Sequence, residues 1–333
     1  MFMQAREPGR LSPAVADIRN AVRASVTDLA PGALVLTACS GGADSLALAA
    51  ALAFAGPRAG LRAGGVTVDH GLQEGSAGRA AAVAATLTEL GLDPVRSVAV
   101  TVGEAGGPEA AARAARYLAL QRVADETGAA AVLLGHTLDD QAETVLLGLA
   151  RGSGTRSLAG MPPRRDVYRR PLLGIRRAQT AAACTAQGLQ PWQDPHNEDR
   201  RFARVRVRLD ELPVLEAALG PGVAEALART ATQLRADADV LDQMTERQAT
   251  VAQSLAATDL AVLQDAIRSR VLRSAAVAAG CPPGALTSAH VRRVDELITN
   301  WHGQRWVDLP GGVRAARRDG QVLFTGGVDH GRQ

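Results

Sequence analysis

A short glycine-containing segment follows the apolar run 33–39 and precedes the helix-compatible run 46–54. Its residues are Ser40, Gly41, Gly42, Ala43, Asp44 and Ser45. Glycines let backbone N–H groups approach an anion, and a helix N-terminus adds partial positive charge. The two hydroxyls are further donors, but the carboxylate of Asp44 is repelled by phosphate unless a cation lies between them. The segment therefore predicts a site for nucleotide phosphates and Mg²⁺, with an ordinary strand-turn-helix junction as the alternative.

This turn is not a P-loop, because that motif needs a lysine after its last glycine. The chain has no lysine: all 37 of its basic residues are arginine. Any lysine chemistry must therefore come from a substrate, although genome composition also explains the missing residue type.

Three carboxylates lie close together further along the chain. Asp139 and Asp140 precede Glu143 by four and three residues, which places all three on one face of a helix. Like charges so placed repel one another unless a cation or an arginine offsets them. Thr137 is a predicted N-cap with Asp140 as its capping-box partner, which explains one carboxylate without chemistry. For the whole set we predict Mg²⁺, bound together with Asp44.

Two histidines follow predicted strands. His136 is placed to contact nucleotide phosphate or the leaving pyrophosphate, and a structural histidine is the alternative. Asp69 and His70 follow the run 65–68 and are placed to contact adenosine, whereas a turn capped by Asp69 is the plainer interpretation. Both alternatives stay open on sequence alone.

These clusters need a scaffold that brings strand ends together. The predicted strands are 33–39, 65–68, 95–102 and 130–134, and the helices between them are 46–54, 76–90 and 109–126. This alternation predicts an α/β domain with a parallel sheet. Such sheets bind ligands beyond the carboxyl ends of their strands, where the polar clusters fall.

The chain of 333 residues is long enough for two domains, which we place at 1–215 and 216–333. The second is predicted to be smaller and mostly helical, with helices in 222–257, 259–280 and 287–300. Strands with an Asp-Gly turn are predicted within 304–324. Its arginines, Arg314, Arg317 and Arg318, are explained equally by packing or by a homodimer.

Charge is unevenly distributed along the chain. The segment from Arg151 to Arg208 contains thirteen arginines and four acidic residues, so its net charge is +9. The net charge of the whole chain is +3, so the rest of the chain is negative. This predicts a surface for a polyanion, with a solvated arginine-rich face as the alternative. No apolar run reaches the roughly 20 residues of a membrane helix, and the N-terminus lacks a signal core, so we expect no membrane partner and a cytoplasmic protein. Cys39, Cys184 and Cys281 are scattered and predict packed thiols.

The segment 40–45 and its context resemble the PP-loop ATP pyrophosphatases, which cleave ATP between the α and β phosphates to adenylate a substrate. Within that superfamily, several ordered motifs resemble the tRNA(Ile)-lysidine synthetases in their short form. The motifs cover 140–154, 158–162, 170–173, 192–197 and 202–208, within a matching region of about 33–213. Gln73 and Gly148 stand where the family usually has basic residues.

The resemblance implies a ligase that uses ATP and Mg²⁺ to adenylate the wobble cytidine in the CAU anticodon of tRNA(Ile). L-Lysine then attacks C2 of that base to give lysidine. It further implies catalytic roles for Asp44, His136, Asp140, Glu143 and Arg113. Contacts to tRNA or lysine are implied for Glu109, Arg116, Arg151, Arg204, Arg206 and Arg208. The second domain is implied to help hold the tRNA, with Arg314, Arg317 and Arg318 as candidate contacts.

On spacing alone, Glu109 and Arg113 would be a surface ion pair. Two other functions compete for the whole chain: a PP-loop enzyme with another acceptor, such as a tRNA thiolase, and a non-catalytic nucleotide or RNA-binding module. Sulfur transfer would need paired cysteines or a cluster motif, and a binding module leaves the clustered carboxylates unexplained.

Overall fold

The computed structural model describes residues 12–71, 75–103, 107–152, 154–251 and 255–326, and for 108–110 and 248–251 it describes the backbone alone. The chain divides into two compact units. The first unit comprises residues up to 150 and residues 160–231, and the second comprises 151–159 and the residues from 232 onward. The predicted division after residue 215 falls inside the first unit. No helix in the described ranges is both long and apolar enough to cross a membrane.

The first unit contains a mainly parallel sheet, which confirms the predicted α/β fold. Its described strands lie in the order β3-β2-β1-β4-β6-β5, and only β5 runs antiparallel to its neighbour. They are β1 (Leu34–Ala38), β2 (Arg62–Asp69), β3 (Val95–Ala99), β4 (Ala131–Leu133), β5 (Arg164–Arg165) and β6 (Tyr168–Arg169). Because β1 lies between β2 and β4, the three predicted polar clusters follow the carboxyl ends of adjacent strands.

Helices cover both faces of this sheet. In chain order those of the first unit are α1 (Pro13–Ser25), α2 (Ala43–Arg58), α3 (Ser76–Glu89), α4 (Pro108–Thr127), α5 (Leu138–Ala150), α7 (Arg177–Gln187), α8 (Ala203–Arg206), α9 (Leu212–Leu219) and the start of α10 (Val223–Val251); α6 (Thr155–Leu158) belongs to the second unit. Strand alternation explains the two layers. Val35 joins a core with α1, α2 and α7, whereas Leu34 and Leu36 join a core with α4.

The second unit packs helices against a small antiparallel sheet. Its remaining elements are α11 (Ala257–Ala261), α12 (Asp265–Ala278), α13 (Ser288–Thr299), β7 (Val307–Asp308), β8 (Arg314–Arg318) and β9 (Gln321–Thr325), with strand order β7-β8-β9. The predicted Asp-Gly turn joins β8 to β9, since Asp319 and Gly320 both have positive φ. The predicted helical segment 259–280 is confirmed, but it is divided in two: the chain turns at 262–264, and α12 begins after Gln264.

Candidate functional site

The turn after β1 is built for close backbone contact. Gly41 has φ +87°, and a Cβ at this position would lie 2.8 Å from Cγ2 of Val83. Its carbonyl accepts a hydrogen bond of 2.9 Å from the N–H of Trp192. Glycine is required at position 41 for two reasons: the backbone is left-handed there, and there is no room for a Cβ.

Ser45 supports the turn from within. Its buried hydroxyl donates to the carbonyl of Gly42 at 3.0 Å and accepts from the N–H of Ser40 at 3.2 Å. Gly42 is the N-cap of α2 and has no side chain to cap the first helical amides. Gly135, after β4, fits closely here, because a Cβ on it would lie 3.2 Å from the backbone nitrogen of Ser45. The first amides of α2 therefore lack a side-chain cap from their own N-cap residue, as an anion site requires.

Arg177 lies at the centre of the carboxylate cluster, which we define as Asp44, Asp139, Asp140 and Glu143. Its Nη2 donates to Oδ1 of Asp140 at 2.8 Å and to Oε1 of Glu143 at 3.3 Å. Its Nε lies 3.6 Å from Oδ2 of Asp44, and its backbone N–H donates to Oδ2 of Asp139 at 2.7 Å. Burial opposes the charge of the guanidinium, but the carboxylates hold the pKa of Arg177 above its ordinary value. One arginine therefore contacts all four carboxylates.

Glu143 is 0% exposed and has a second arginine partner. Arg208 binds it with two bonds, from Nε to Oε1 at 2.8 Å and from Nη2 to Oε2 at 3.2 Å. Arg204 lies further away, with Nη1 3.8 Å from Oε2. A buried carboxylate is tolerated when guanidinium groups neutralise it in this way.

The predicted capping box at the start of α5 is confirmed. The backbone N–H of Thr137 donates to Oδ2 of Asp140 at 2.8 Å, and the N–H of Asp140 lies 3.4 Å from the hydroxyl of Thr137. Burial acts to raise the pKa of Asp140, but Arg177 and the Thr137 N–H outweigh it, so the pKa is lowered. Asp140 is therefore an ionised carboxylate whose two oxygens both accept hydrogen bonds.

Asp44 has the least satisfied carboxylate of the cluster. Its Oδ1 accepts a hydrogen bond from the hydroxyl of Thr180, and Oδ2 has only the 3.6 Å approach of Arg177. Burial raises the pKa of Asp44 above its ordinary value. Within the described ranges, no three His, Cys, Asp or Glu side chains are arranged to hold a metal ion by themselves. Mg²⁺ at nucleotide sites commonly uses one or two carboxylates together with substrate phosphates, and Asp44 beside the α2 amides fits that role.

His136 and His70 are both neutral at physiological pH. Burial lowers the pKa of His136 to about 3; Asp140 opposes this shift, and Arg170, Arg116 and Arg113 add smaller effects in the same direction as burial. Burial and Arg116 also lower the pKa of His70. Nδ1 of each ring is buried without a hydrogen-bond partner among the described residues. His136 would therefore meet an anion as a neutral hydrogen-bond donor.

Arg116 lies near both histidines, and Arg113 lies near His136. Arg113 is exposed, with Nη2 3.5 Å from the hydroxyl of Tyr117. Burial and Arg113 lower the pKa of Arg116, and no ion pair joins Arg116 to a described carboxylate. The side chain of Glu109 lies outside the described residues, so the predicted pair with Arg113 stays a prediction. Asp69 accepts a 2.9 Å bond from the N–H of Gly71, as its turn interpretation predicts.

The arginines predicted to contact tRNA lie in different settings. Arg204 and Arg208 contact Glu143. Arg206 is exposed, and its Nη1 donates to the carbonyl of Arg200 at 2.8 Å. Arg151 is exposed in the second unit. Among these four, the structure therefore places Arg204 and Arg208 at the carboxylate cluster.

A cavity of about 150 Å³ adjoins the carboxylate cluster within the first unit. It is lined by Asp139, Glu143, Arg176, Arg177, Arg208, Leu212, Pro213, Glu216 and Ala224. Carboxylates and guanidinium groups thus share one wall. Such a lining suits a small ligand that carries both charges.

The sequence motifs did not identify Arg177 and Thr180 as site residues, although these two side chains hold Asp44 and Asp140 in place. One local signal marks Arg177. It occupies the first turn of α7, where a positive charge opposes the helix dipole. A residue that breaks a local rule often serves a tertiary contact.

Two protein-family models match the chain. Residues 16–215 match a family described as "PP-loop domain", and residues 255–324 match one described as "TilS substrate binding domain". The chain is 61% identical to tRNA(Ile)-lysidine synthase of Thermobifida fusca, over 94% of this chain and 98% of that protein. It is 58% identical to tRNA(Ile)-lysidine synthase of Streptomyces coelicolor, over 88% of this chain and 86% of that protein.

Among solved structures, a U34-tRNA thiolase, NcsA from Methanococcus maripaludis with its [4Fe-4S] cluster, has a similar fold. The TM-score is 0.57 with 20% sequence identity, covering 70% of this chain and 88% of that one. At this identity the likeness concerns the fold alone. The three cysteines of the present chain are free and buried. The curated relatives therefore favour the synthase over the thiolase alternative.

Proposed function

The chain belongs to the tRNA(Ile)-lysidine synthase family of PP-loop, ATP-using ligases, and we propose that it carries out the following reaction. ATP adenylates the C2 oxygen of the wobble cytidine in the CAU anticodon of tRNA(Ile), with release of pyrophosphate. The ε-amine of L-lysine then forms a bond to C2 and loses a proton, and the bond from C2 to the adenylated oxygen breaks. The products are lysidine, AMP and pyrophosphate.

The observation that carries the proposal is the junction of β1 and α2. Gly41 and Gly135 allow close backbone approach there, and the N-cap Gly42 leaves the first α2 amides without a side-chain cap. These amides would hold ATP phosphates through backbone donors and the helix dipole. Catalysis of adenylyl transfer is mainly positioning and charge stabilisation, which backbone donors and arginines supply.

We assign Mg²⁺ to Asp44 together with phosphate oxygens of ATP. Asp140 and Glu143 already accept hydrogen bonds from Arg177 and Arg208, whereas Oδ2 of Asp44 has no bond shorter than 3.6 Å in the described structure. When bound, the ion would offset negative charge on the phosphates. His136, neutral beside this site, would donate a hydrogen bond to a phosphate oxygen.

We assign the acceptor L-lysine to the cavity beside the carboxylate cluster. A free amino acid carries one carboxylate and one ammonium at its α-carbon, and the lining offers Arg176 for the first and Asp139 and Glu216 for the second. The cavity also touches Glu143 and Arg177, which link it to Asp140 and Asp44. This continuity supports a lysine site next to the adenylation site.

The proposal is tested by tRNA-dependent incorporation of labelled lysine. Purified protein with ATP, Mg²⁺ and a tRNA(Ile) transcript bearing the CAU anticodon should release pyrophosphate and AMP and should label the tRNA. A methionine tRNA with the same anticodon is the matched control and should stay unlabelled. Pyrophosphate release without incorporation of lysine would point to another acceptor and contradict the proposal. Sedimentation of the same preparation would check the predicted homodimer.

A further inference from the structure

The turn 40–45, which we call the phosphate turn, is held at both of its ends by the chain around it. At its C-terminal end it is contacted twice by α7: the hydroxyl of Thr180 donates to Asp44, and Sγ of Cys184 donates to the carbonyl of Ala43 at 3.3 Å. Both donor side chains are buried and lie on a regular helix. This end of the turn is therefore fixed by the interior of the first unit.

The N-terminal end of the phosphate turn depends on Trp192. Gly41 has φ +87°, and its carbonyl accepts a hydrogen bond of 2.9 Å from the N–H of Trp192. Trp192 follows α7 in a stretch, 189–194, that is neither helix nor strand. Hydrogen bonds of a regular element therefore do not fix this backbone, and the contacts of the Trp192 side chain decide where its N–H points.

The indole of Trp192 is held by α3. The guanidinium of Arg79 lies 4.8 Å from the centre of the indole ring, and Trp192 is half-buried. Val83 is four residues further along the same face of α3, and its Cγ2 lies 2.8 Å from the position that a Cβ on Gly41 would take. One face of α3 therefore contacts both partners of the hydrogen bond between Trp192 and Gly41.

Arg79 is also close to the end of β2. The N–H of Gly71 and the hydroxyl of Ser76 lower the pKa of Asp69, burial opposes them, and His70 and Arg79 add smaller effects that lower it further. The carboxylate of Asp69 is therefore ionised and attracts the guanidinium that lies over the indole. Arg79 is restrained by two partners, which makes it a firm support for the ring.

We propose that Trp192 is a positioning residue for ATP: its indole, held by Arg79, keeps the N–H of Trp192 on Gly41 and so keeps the phosphate turn in the conformation that binds phosphates. This inference rests on the proposed function only for the use of ATP. Without the indole the N–H is still present, but the backbone of 189–194 is less restrained, and the turn is in its binding conformation for less of the time. The apparent affinity for a ligand of the turn falls in proportion to that fraction. A ligand without phosphates does not depend on the turn.

The test measures equilibrium binding of ATP with Mg²⁺ to the full-length protein, without tRNA and without lysine. Trp192→Ala should weaken ATP binding about fivefold, as expected if the turn is in its binding conformation for about one fifth of the time. Trp192→Phe keeps a ring for Arg79 and should restore most of the affinity. Adenosine should bind the wild type and Trp192→Ala equally, because it has no phosphates, and this equality also shows that the variant is folded.

Arg79→Gln should weaken ATP binding by a similar factor. The double variant Arg79→Gln/Trp192→Ala should bind ATP no more weakly than either single variant, because both changes act through one contact. His196 lies in the same segment and contacts Asp194 and Phe202. His196→Ala is therefore the matched control and should bind ATP within about twofold of the wild type.

The proposal is overturned if Trp192→Ala binds ATP like the wild type. It is also overturned if Trp192→Ala loses as much affinity for adenosine as for ATP, since the indole would then contact the base or support the whole fold. A further loss in the double variant would make Arg79 a direct phosphate ligand and contradict its role as a support for Trp192. Because the test needs neither tRNA nor lysine, failure of lysine incorporation by a wild type that binds ATP would contradict the proposed function alone.

Discussion

The arginines of the carboxylate cluster and those on the small sheet of the second unit have different kinds of neighbours. Arg177 and Arg208 bind Glu143, which is fully buried, and each is held by more than one bond. Arg314 shares an exposed carboxylate with Trp306, and Arg318 has no carboxylate partner in the described structure. Buried pairs leave an uncompensated charge when one partner is removed, whereas exposed pairs contribute little to stability. The same residue type is therefore held by buried carboxylates at the cluster of the first unit and is exposed on the small sheet of the second.

The largest effect should come from Asp44, whose Oδ2 has no contact in the described structure closer than the 3.6 Å approach of Arg177. We expect Asp44→Asn to reduce tRNA-dependent pyrophosphate release by roughly 10²- to 10³-fold or more, since a charge that stabilises the reacting phosphates is lost. Burial already disfavours ionised Asp44, so the free energy of unfolding should not fall. Pyrophosphate release and urea unfolding of the same preparation check both statements. Near-normal turnover would remove Asp44 from the metal site.

Replacement of Arg177 should mainly cost stability. Arg177→Met leaves Asp140 and Glu143 with fewer positive partners in a buried setting, so we expect a loss of about 3 to 5 kcal/mol in the free energy of unfolding. Arg314→Gln is the matched control from the second unit, where an exposed ion pair is lost and the expected change is below about 1 kcal/mol. Urea denaturation measures both. Equal losses in the two variants would contradict the distinction between the two sets of arginines.

The pH dependence of stability should report the burial of His136. The pKa of His136 is lowered to about 3 in the folded protein, against an ordinary value near 6.5. Between these values the unfolded chain binds a proton that the folded protein does not, so this contribution to stability is present above pH 6.5 and lost as pH falls. From pH 8 to pH 5 the loss amounts to about 2 kcal/mol. Urea unfolding of His136→Gln at both pH values should show that much less loss than the wild type.

Sequence patterns predicted those parts of the site that are local. The turn 40–45, the capping box of Thr137 and Asp140, and the sheet that brings three strand ends together all depend on short-range signals. The group that neutralises the cluster was not identified, because Arg177 lies 37 positions from Asp140 and 34 positions from Glu143 in the chain. The spacing of Asp139, Asp140 and Glu143 indicated that a positive group was needed, and arginine and Mg²⁺ satisfy that spacing equally. Only the tertiary contact of Arg177 distinguishes them.

The same limit applies to the strands. Both residues of β6 are buried, and it pairs with β4, yet the surrounding segment is dominated by arginine and contains no apolar run of strand length. Arg169 explains the discrepancy, because it is buried and bonded to Asp28 of the loop before β1. A charged residue with a distant partner occupies a core position here, and local hydrophobicity cannot reveal it.

The smallest expected effect concerns the exposed arginines of the basic segment. Arg206 is exposed and bonded only to nearby carbonyl groups, whereas Arg208 is bound to Glu143 through two bonds. Arg206→Gln should lower the slope of log tRNA affinity against log salt by about one unit and leave unfolding unchanged, as expected for one lost phosphate contact. Arg208→Gln should instead lower the free energy of unfolding, because Glu143 loses its bidentate partner. If Arg208→Gln changed the salt slope alone, its contact with Glu143 would have to open when tRNA binds, and Arg208 would then resemble exposed Arg206 more than Arg177.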